Sequence, residues 1–290
     1  MDQFLQLTLT GLTNGAVLAL AALGFVLIYK ASDVLNFAQG EFMLVGAYVA
    51  YAVIEQIGWS WPFAVIVTVL VAVVMGMVIE RLILRPMIGE PIISLIMVTI
   101  GLSSLLKAIV STIWGTEEKA FPSFIPSEPI HILGAVVTTD KLWAIGIVAI
   151  MLLGFGVFFR RSSDGIAMRA VADDQQAALS MGISVKRIFA MAWSIAAATA
   201  AIGGIIVANI LGVSGNISNI GLAVFPVVIL GGLDSIPGAV IGGVIVGLLS
   251  AYTGGYIGGG LNSVIPFIVL VLILMVRPYG LFGQEIIERV

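Results

Sequence analysis

The sequence has 290 residues, of which 60% are hydrophobic and 10% are charged, and its net charge at pH 7 is −3. Because an ordinary soluble domain is about 25% charged, this composition excludes a soluble protein and predicts an integral membrane protein. Cysteine is absent and histidine occurs once, which excludes disulfides and clustered metal ligands. The negative net charge also gives no basic field for nucleic acid.

Hydrophobic segments follow one another along the whole chain. A membrane-spanning helix needs about 20 mostly apolar residues, and eight segments approach or exceed that length. In chain order they are 7–29, 42–57, 62–84, 92–114, 143–159, 188–211, 222–252, which is interrupted, and 263–276. The pattern predicts an all-α fold, a polytopic transmembrane helical bundle with re-entrant or broken helices, in which residues 1–290 form a single transmembrane domain.

Two connections are longer than the others and differ in charge. Residues 115–141 are mainly acidic, whereas residues 160–187 hold five of the thirteen basic residues. Lysine and arginine are enriched in cytoplasmic loops. The sequence therefore predicts that 160–187 is cytoplasmic, together with the C-terminus after Arg277, and that 115–141 is external. It leaves the side of the N-terminus open.

Two polar breaks interrupt the hydrophobic segments, at 30–41 and at 231–238. Backbone freed at such breaks must face protein or a water-filled cavity. With 212–221 outside and Arg277 inside, we expect two half-helices to meet at 231–238 as a re-entrant hairpin, leaving 263–276 as the full crossing. Duplicated transporters place paired breaks at a midplane site, but glycine breaks also occur in membrane helices without duplication.

The segment 165–183 combines a helical pattern with a glycine stop. Six residues recur at three- and four-residue spacing and share one mildly apolar face, Met168, Val171, Ala172, Gln175, Ala178 and Leu179. Gly182 stands where a left-handed cap is expected. This helix suits docking into a groove of a partner protein; the alternative is a connecting helix on the membrane surface.

The order Gln176-Ala177-Ala178, three residues, then Gly182 resembles the EAA loop of ABC importer permeases. The match departs at Gln176, where the family has glutamate, and no Ile-x-Leu-Pro follows the glycine. The resemblance implies a coupling helix at about 168–182 that inserts into a separate ATPase subunit. The implied coupling residues are Met168, Arg169, Val171, Ala172, Gln176, Ala177, Ala178 and Gly182.

A second resemblance covers most of the chain. The run from Asn36 to Tyr48 is similar to the Asn-Phe-Ala-x-Gly-Glu-Phe signature of the branched-chain amino-acid (Liv, hydrophobic amino-acid uptake) importer permeases, LivH type. Residues 11–16, 168–173 and 277–283 fit the same family. The resemblance implies a permease subunit in the cell inner membrane that moves branched-chain or related amino acids; relatives that move urea or short amides are an alternative.

The family also implies partners and the absence of enzyme chemistry. The expected partners are a second, LivM-type permease, two ATPase subunits that use ATP, and an external substrate-binding protein. The chain itself is expected to have no catalytic residues and to bind no cofactor or metal. No phosphate-binding GxxxxGK[ST] run occurs in the sequence.

Six polar or glycine residues are candidates for the substrate pathway: Asn14, Asn36, Gln39, Gly40, Glu41 and Asp234. A helix that starts at Gly40 would direct free N–H groups toward a substrate carboxylate, and Glu41 and Asp234 are costly charges at membrane depth. The alternative roles are structural. Glu41 would cap a helix or pair with Lys30, Asn36 would satisfy freed backbone, and Asp234 would cap the helix that starts near Ser235.

Two other classes of function are weaker. For a self-sufficient channel, the Asn-Phe-Ala run resembles the Asn-Pro-Ala motif of aquaporins, but the second half of the chain has no matching copy. A secondary transporter would be expected to carry more paired charges within the membrane than this chain has. An intramembrane enzyme would need a His–Ser, Asp–Asp or HExxH arrangement, and the sequence has none.

Overall fold

The computed structural model describes residues 2–132, 135–258 and 260–283. Within these ranges the chain forms eleven α-helices and one short antiparallel hairpin. The helices are α1 (Asp2–Ser32), α2 (Gln39–Tyr51), α3 (Trp61–Ile79), α4 (Ile92–Trp114), α5 (Thr139–Arg161), α6 (Ser163–Asp173), α7 (Gln175–Ser180), α8 (Val185–Leu211), α9 (Asn219–Gly231), α10 (Ile236–Tyr256) and α11 (Ile265–Val276). The strands are β1 (Pro129–Ile132) and β2 (Ala135–Thr138).

Six of the described helices are long and apolar enough to cross a membrane: α1, α3 with its extension to Met87, α4, α5, α8 and α10. This confirms the predicted all-α polytopic bundle. Three helices, α2, α9 and α11, have only 12 or 13 residues. The predicted segment 42–57 is therefore a short helix that continues into one π-helical turn at Ala52–Gln56.

The centre of the bundle is formed by α1 and α8. About three quarters of each span is buried inside the chain, 78% for α1 and 72% for α8. In contrast, only 17–28% of α3, α4 and α5 is buried, so most of their apolar surface faces outward. Small residues let α1 and α10 pack closely, since a Cβ on Gly15 would lie 2.8 Å from the Gly243 carbonyl oxygen.

The bundle has two distinct ends. At the end that carries α6, the Lys30 Nζ donates to the Asp234 carbonyl oxygen at 3.4 Å, and the Leu281 N–H donates to the Leu230 carbonyl at 2.8 Å. We call this the α6 end and the opposite one, which carries β1 and β2, the hairpin end. The described C-terminal residues 277–283 thus lie at the α6 end; residues 284–290 lie outside the described residues.

The break at 231–238 differs from the prediction. It is a tight turn at the α6 end, and α10 after it is a full-length span rather than half of a re-entrant hairpin. Gly232 has a φ of 105°, and a Cβ there would meet the Gly283 backbone. Gly232 therefore lets the turn pack closely against residues 280–283, whereas Gly231 and Gly238 let the end of α9 and the start of α10 approach each other.

Candidate functional site

Two broken helices begin at one point inside the bundle. A Cβ on Gly40, in the first turn of α2, would lie 2.9 Å from the Cα and N of Gly221, in the first turn of α9. From this point the helices diverge. Toward the hairpin end, α2 brings Tyr48 next to Trp114, with ring centroids 5.4 Å apart, whereas α9 runs to the turn at the α6 end.

This meeting point lies deep in the bundle. The Gln39 side-chain amide donates to the Ala21 carbonyl at 3.3 Å, and Ala21 lies eleven residues before the end of α1 at Ser32. At about 1.5 Å per helical residue, that depth is roughly 16 Å from the α6 end. A bilayer core is about 30 Å thick, so the two N-terminal ends lie near its middle.

The chain between α1 and α2 returns to this depth without a helix. Asn36 and Gln39 are 0% and 1% exposed, and the Asn36 Nδ2 donates to the Gln39 Oε1 at 3.1 Å. The Asn36 Oδ1 accepts from the Ala38 N–H at 3.0 Å. Both side chains therefore hold the freed backbone in place. For Asn36 this is the structural role that the sequence analysis gives as the alternative to a place in the substrate pathway.

Glu41 is 6% exposed. Its neighbours include Ser103 and Lys107 of α4, and the Lys107 ammonium attracts its carboxylate. A pair with Lys30 is not formed, because Lys30 lies at the α6 end. The positive end of the α2 dipole also favours a carboxylate in the first turn. Since an unpaired charge at this depth costs several kcal/mol, the helix dipole and Lys107 together make the position tolerable.

The remaining two pathway candidates lie apart from this group. Asn14 is exposed on α1 and lines a cavity of about 690 Å³ near the hairpin end, together with Asn219 and Asn262. Asp234 lies in the turn at the α6 end. It does not cap α10, because the Ser235 Oγ accepts from the Gly238 N–H at 3.1 Å. The structure thus brings together Asn36, Gln39, Gly40 and Glu41 only.

The predicted coupling helix is two helices, α6 and α7. The break falls at Asp174, whose backbone is extended. Its Oδ1 accepts from the N–H groups of Gln176 and Ala177 at 2.8 and 2.9 Å, so the aspartate caps α7. Gly182 has a φ of 80°, which is the left-handed conformation that the sequence predicts.

The apolar face predicted for docking packs against this chain instead. Met168, Val171 and Ala178 are buried in a cluster with residues of α1, α5 and α8, and Ala172 is half-buried. Among the predicted coupling residues, four are exposed: Arg169, Gln176, Ala177 and Gly182. Sequence periodicity missed Met181, which is 82% exposed, and Leu179, though on the predicted face, is 57% exposed. Leu179 projects from α7, and Met181 is the residue that follows the helix.

The second break, at 212–218, is absent from the sequence-based candidates. Its signal is a polar, glycine-containing run from Gly212 to Asn219 inside a long apolar stretch. The connection between α4 and β1 holds it in place. The Lys119 and Val213 backbones exchange two hydrogen bonds of 2.9 Å, and the Asn209 Oδ1 accepts from the Phe124 N–H at 3.1 Å.

In the described ranges no cluster of His, Asp or Glu residues could hold a metal ion.

The family of the chain follows from sequence comparison. The family model described as "Branched-chain amino acid transport system / permease component" matches residues 7–274. The chain belongs to this permease family. Similar members include the high-affinity branched-chain amino acid transport system permease protein LivH of Escherichia coli K12 and that of Salmonella typhimurium, each 32% identical over 99% of this chain and 98% of the relative.

A further permease relative is similar over nearly the whole chain. The permease protein BraD of Pseudomonas aeruginosa is 30% identical over 99% of this chain and 98% of its own length. Among solved structures, one chain of PsaBC from Streptococcus pneumoniae in complex with Fab is similar at a TM-score of 0.52, with 17% identity, over 93% of this chain and 90% of that chain. That similarity concerns the fold alone.

Proposed function

We propose that this chain is the permease subunit of an ABC importer that moves branched-chain or related hydrophobic amino acids across the cell inner membrane. The observation that carries the proposal is the similarity over 99% of the chain to permeases of that name. The chain performs no covalent chemistry and binds no cofactor. It holds alternative conformations of a pathway, and separate ATPase subunits bias the balance between them.

The α6 end is proposed to be cytoplasmic and to receive the ATPase. Residues 160–187 carry five of the thirteen basic residues, which favours the cytoplasmic side. The exposed Leu179 and Met181 supply an apolar contact surface, and Arg169, Gln176 and Ala177 lie exposed on the same two helices. This surface would take the force of ATPase closure.

The buried side of α6 and α7 gives that force a route into the bundle. Met168 and Val171 pack against Leu27 and Ala31, in the last turns of α1. The chain that leaves α1 leads directly to the break before α2. A shift of α6 would therefore move the end of α1 and the start of α2, where α9 also begins.

The remaining partners are proposed from the family. A second, LivM-type permease would cover part of the outward apolar surface of α3, α4 and α5, which are the least buried spans. An external substrate-binding protein would deliver the amino acid at the hairpin end. Two ATPase subunits would complete the complex and use the ATP.

The coupling surface is tested with a variant that combines Leu179→Ser and Met181→Ser. Loss of two exposed apolar side chains removes about 2 kcal/mol or more of interface burial, so ATPase binding should weaken at least roughly tenfold. A matched control is Ile257→Ser, which alters a similarly exposed apolar residue at the hairpin end. ATPase co-purification and ATP-driven leucine uptake are measured with both proteins.

The control should behave as the wild-type protein. Normal ATPase co-purification with the double variant would contradict the proposed coupling surface. If the wild-type complex takes up urea or a short amide but no branched-chain amino acid, the proposed substrate is wrong.

A further inference from the structure

A cavity at the hairpin end has both charges and an apolar floor. It measures about 260 Å³ and lies between α2, α4, the start of the external connection and the second break. Its lining includes Lys107, Glu118 and Ser214, over a floor of Leu44, Tyr48 and Val110. Pockets for drug-sized ligands are about 300–1,000 Å³, so this one suits a smaller solute. We call it the α2–α4 cavity.

The two charges of this cavity are not used in ion pairs of the described chain. The salt bridges among the described residues are Arg85–Glu80 and Arg187–Asp164. Both Lys107 and Glu118 are exposed. Lys107 also lies seven residues before the end of α4 at Trp114, about 10 Å inside the span. Lys107 attracts the Glu41 carboxylate of α2 but forms no salt bridge among the described residues, so its ammonium group can also bind an anion in the cavity, and a cation at that depth is a typical functional position.

The floor is rigid and apolar. Leu44 and Tyr48 are each 1% exposed, and Val110 is 3% exposed, so they close the bottom of the cavity and offer a solute only a small apolar contact. The opposite wall is the break segment, with Ser214, Gly215 and Asn216. A solute in the cavity would therefore contact the segment that leads into α9.

Two other cavities match a zwitterion less well. The cavity of about 690 Å³ at the same end has one charged residue in its described lining, Lys141, and no carboxylate. The cavity of about 450 Å³ at the α6 end has Asp33, Glu80, Arg85 and Glu90 in its lining. There Arg85 is bound to Glu80, which leaves two carboxylates and no free cation among the described lining residues.

From these observations we propose that the α2–α4 cavity is an entry site for a zwitterionic α-amino acid with an apolar side chain. Lys107 binds the substrate carboxylate, Glu118 binds the ammonium group, and Leu44, Tyr48 and Val110 contact the side chain. The proposal rests on the proposed function, since it names the groups that recognise the amino acid.

The first test measures ATP-driven leucine uptake by the complete importer in proteoliposomes. Lys107→Met and Glu118→Gln should each lower uptake about tenfold or more, as the loss of one charged contact predicts. Lys107→Arg keeps the charge and should stay within about threefold of the wild type. The matched control is Glu117→Gln, because Glu117 is an exposed neighbour outside the cavity lining.

Uptake by Lys107→Met that equals uptake by Glu117→Gln would overturn the proposal. That outcome differs from failure of the proposed function, in which the wild-type importer itself takes up no leucine.

The second test separates recognition from a merely structural role. The chain has no cysteine, so Ser111→Cys places a single thiol in the cavity lining. In the purified complex without the binding protein, leucine should slow its reaction with a small impermeant thiol reagent. Leucinol, which lacks the carboxylate, and 4-methylpentanoate, which lacks the ammonium group, should protect much less. No protection by leucine, or equal protection by all three, would overturn the proposal.

Discussion

The close approach of α2 and α9 predicts a large effect of a single methyl group. In Gly40→Ala the new Cβ would lie 2.9 Å from the Cα of Gly221 and would also meet the Ser218 carbonyl oxygen. Since carbon atoms pack best at about 3.5–4.0 Å, the two helix starts must separate by roughly 0.6 Å or more. Both neighbours are backbone atoms, so no side-chain rotation relieves the contact.

The expected cost follows from that displacement. Overpacking of a tight interior costs about 1–3 kcal/mol, which corresponds to a fall in Tm of roughly 2–12 °C for a chain of this size. The control is Gly101→Ala in α4, where a Cβ meets nothing within 4 Å. That variant should keep or slightly raise the Tm, because alanine favours a helix over glycine by about 0.5–1 kcal/mol.

The assay measures thermal unfolding of both variants in the same detergent, followed by ATP-driven uptake in the complete importer. Gly40→Ala should lower the Tm and strongly reduce uptake, whereas Gly101→Ala should change neither by much. If the two variants have the same Tm and the same uptake, the two broken helices do not meet as described.

Three further predictions follow from other contacts. Arg85→Met should lower the Tm more than Arg187→Met, because Glu80 is buried with a side chain 1% exposed whereas the Arg187–Asp164 pair is largely exposed; equal Tm values would contradict this. Asn209→Ala should speed hydrogen exchange of the Phe124 and Ile125 amides, which both donate to its side chain; unchanged exchange rates would be inconsistent with the tether. A lone cysteine from Ser163→Cys should react only with a reagent that reaches the cytoplasmic side, and external labelling would invert the proposed topology.

Hydropathy was sufficient to predict the class of fold, because a bilayer imposes a length and an apolar composition on each span. The polar run before Gly40 also predicted a broken helix. The depth of each break within the bundle could not be predicted from hydropathy. Polarity at 231–238 shows only that the backbone needs partners, and those partners are at the α6 end rather than the midplane.

The second break and the exposed residues Leu179 and Met181 were not identified from the sequence, for a related reason. The sequence predicts that residues 212–221 lie outside, and only the contact of Gly221 with Gly40 reveals that the chain re-enters the bundle. Periodicity found the apolar face of α6 and α7 but not what covers it, since a face that packs on its own bundle has the same pattern as one that docks to a partner. Lys107 and Glu118 meet only through the tertiary fold.

The central claim is that this chain moves solute only when an ATPase drives it. The most direct measurement compares leucine accumulation in proteoliposomes that hold the purified chain alone with accumulation in vesicles that hold the complete importer, both with ATP and the binding protein. We expect uphill accumulation only in the second set, and expect it to stop when ATP is replaced by a non-hydrolysable analogue. Uphill accumulation by the chain alone would contradict the account.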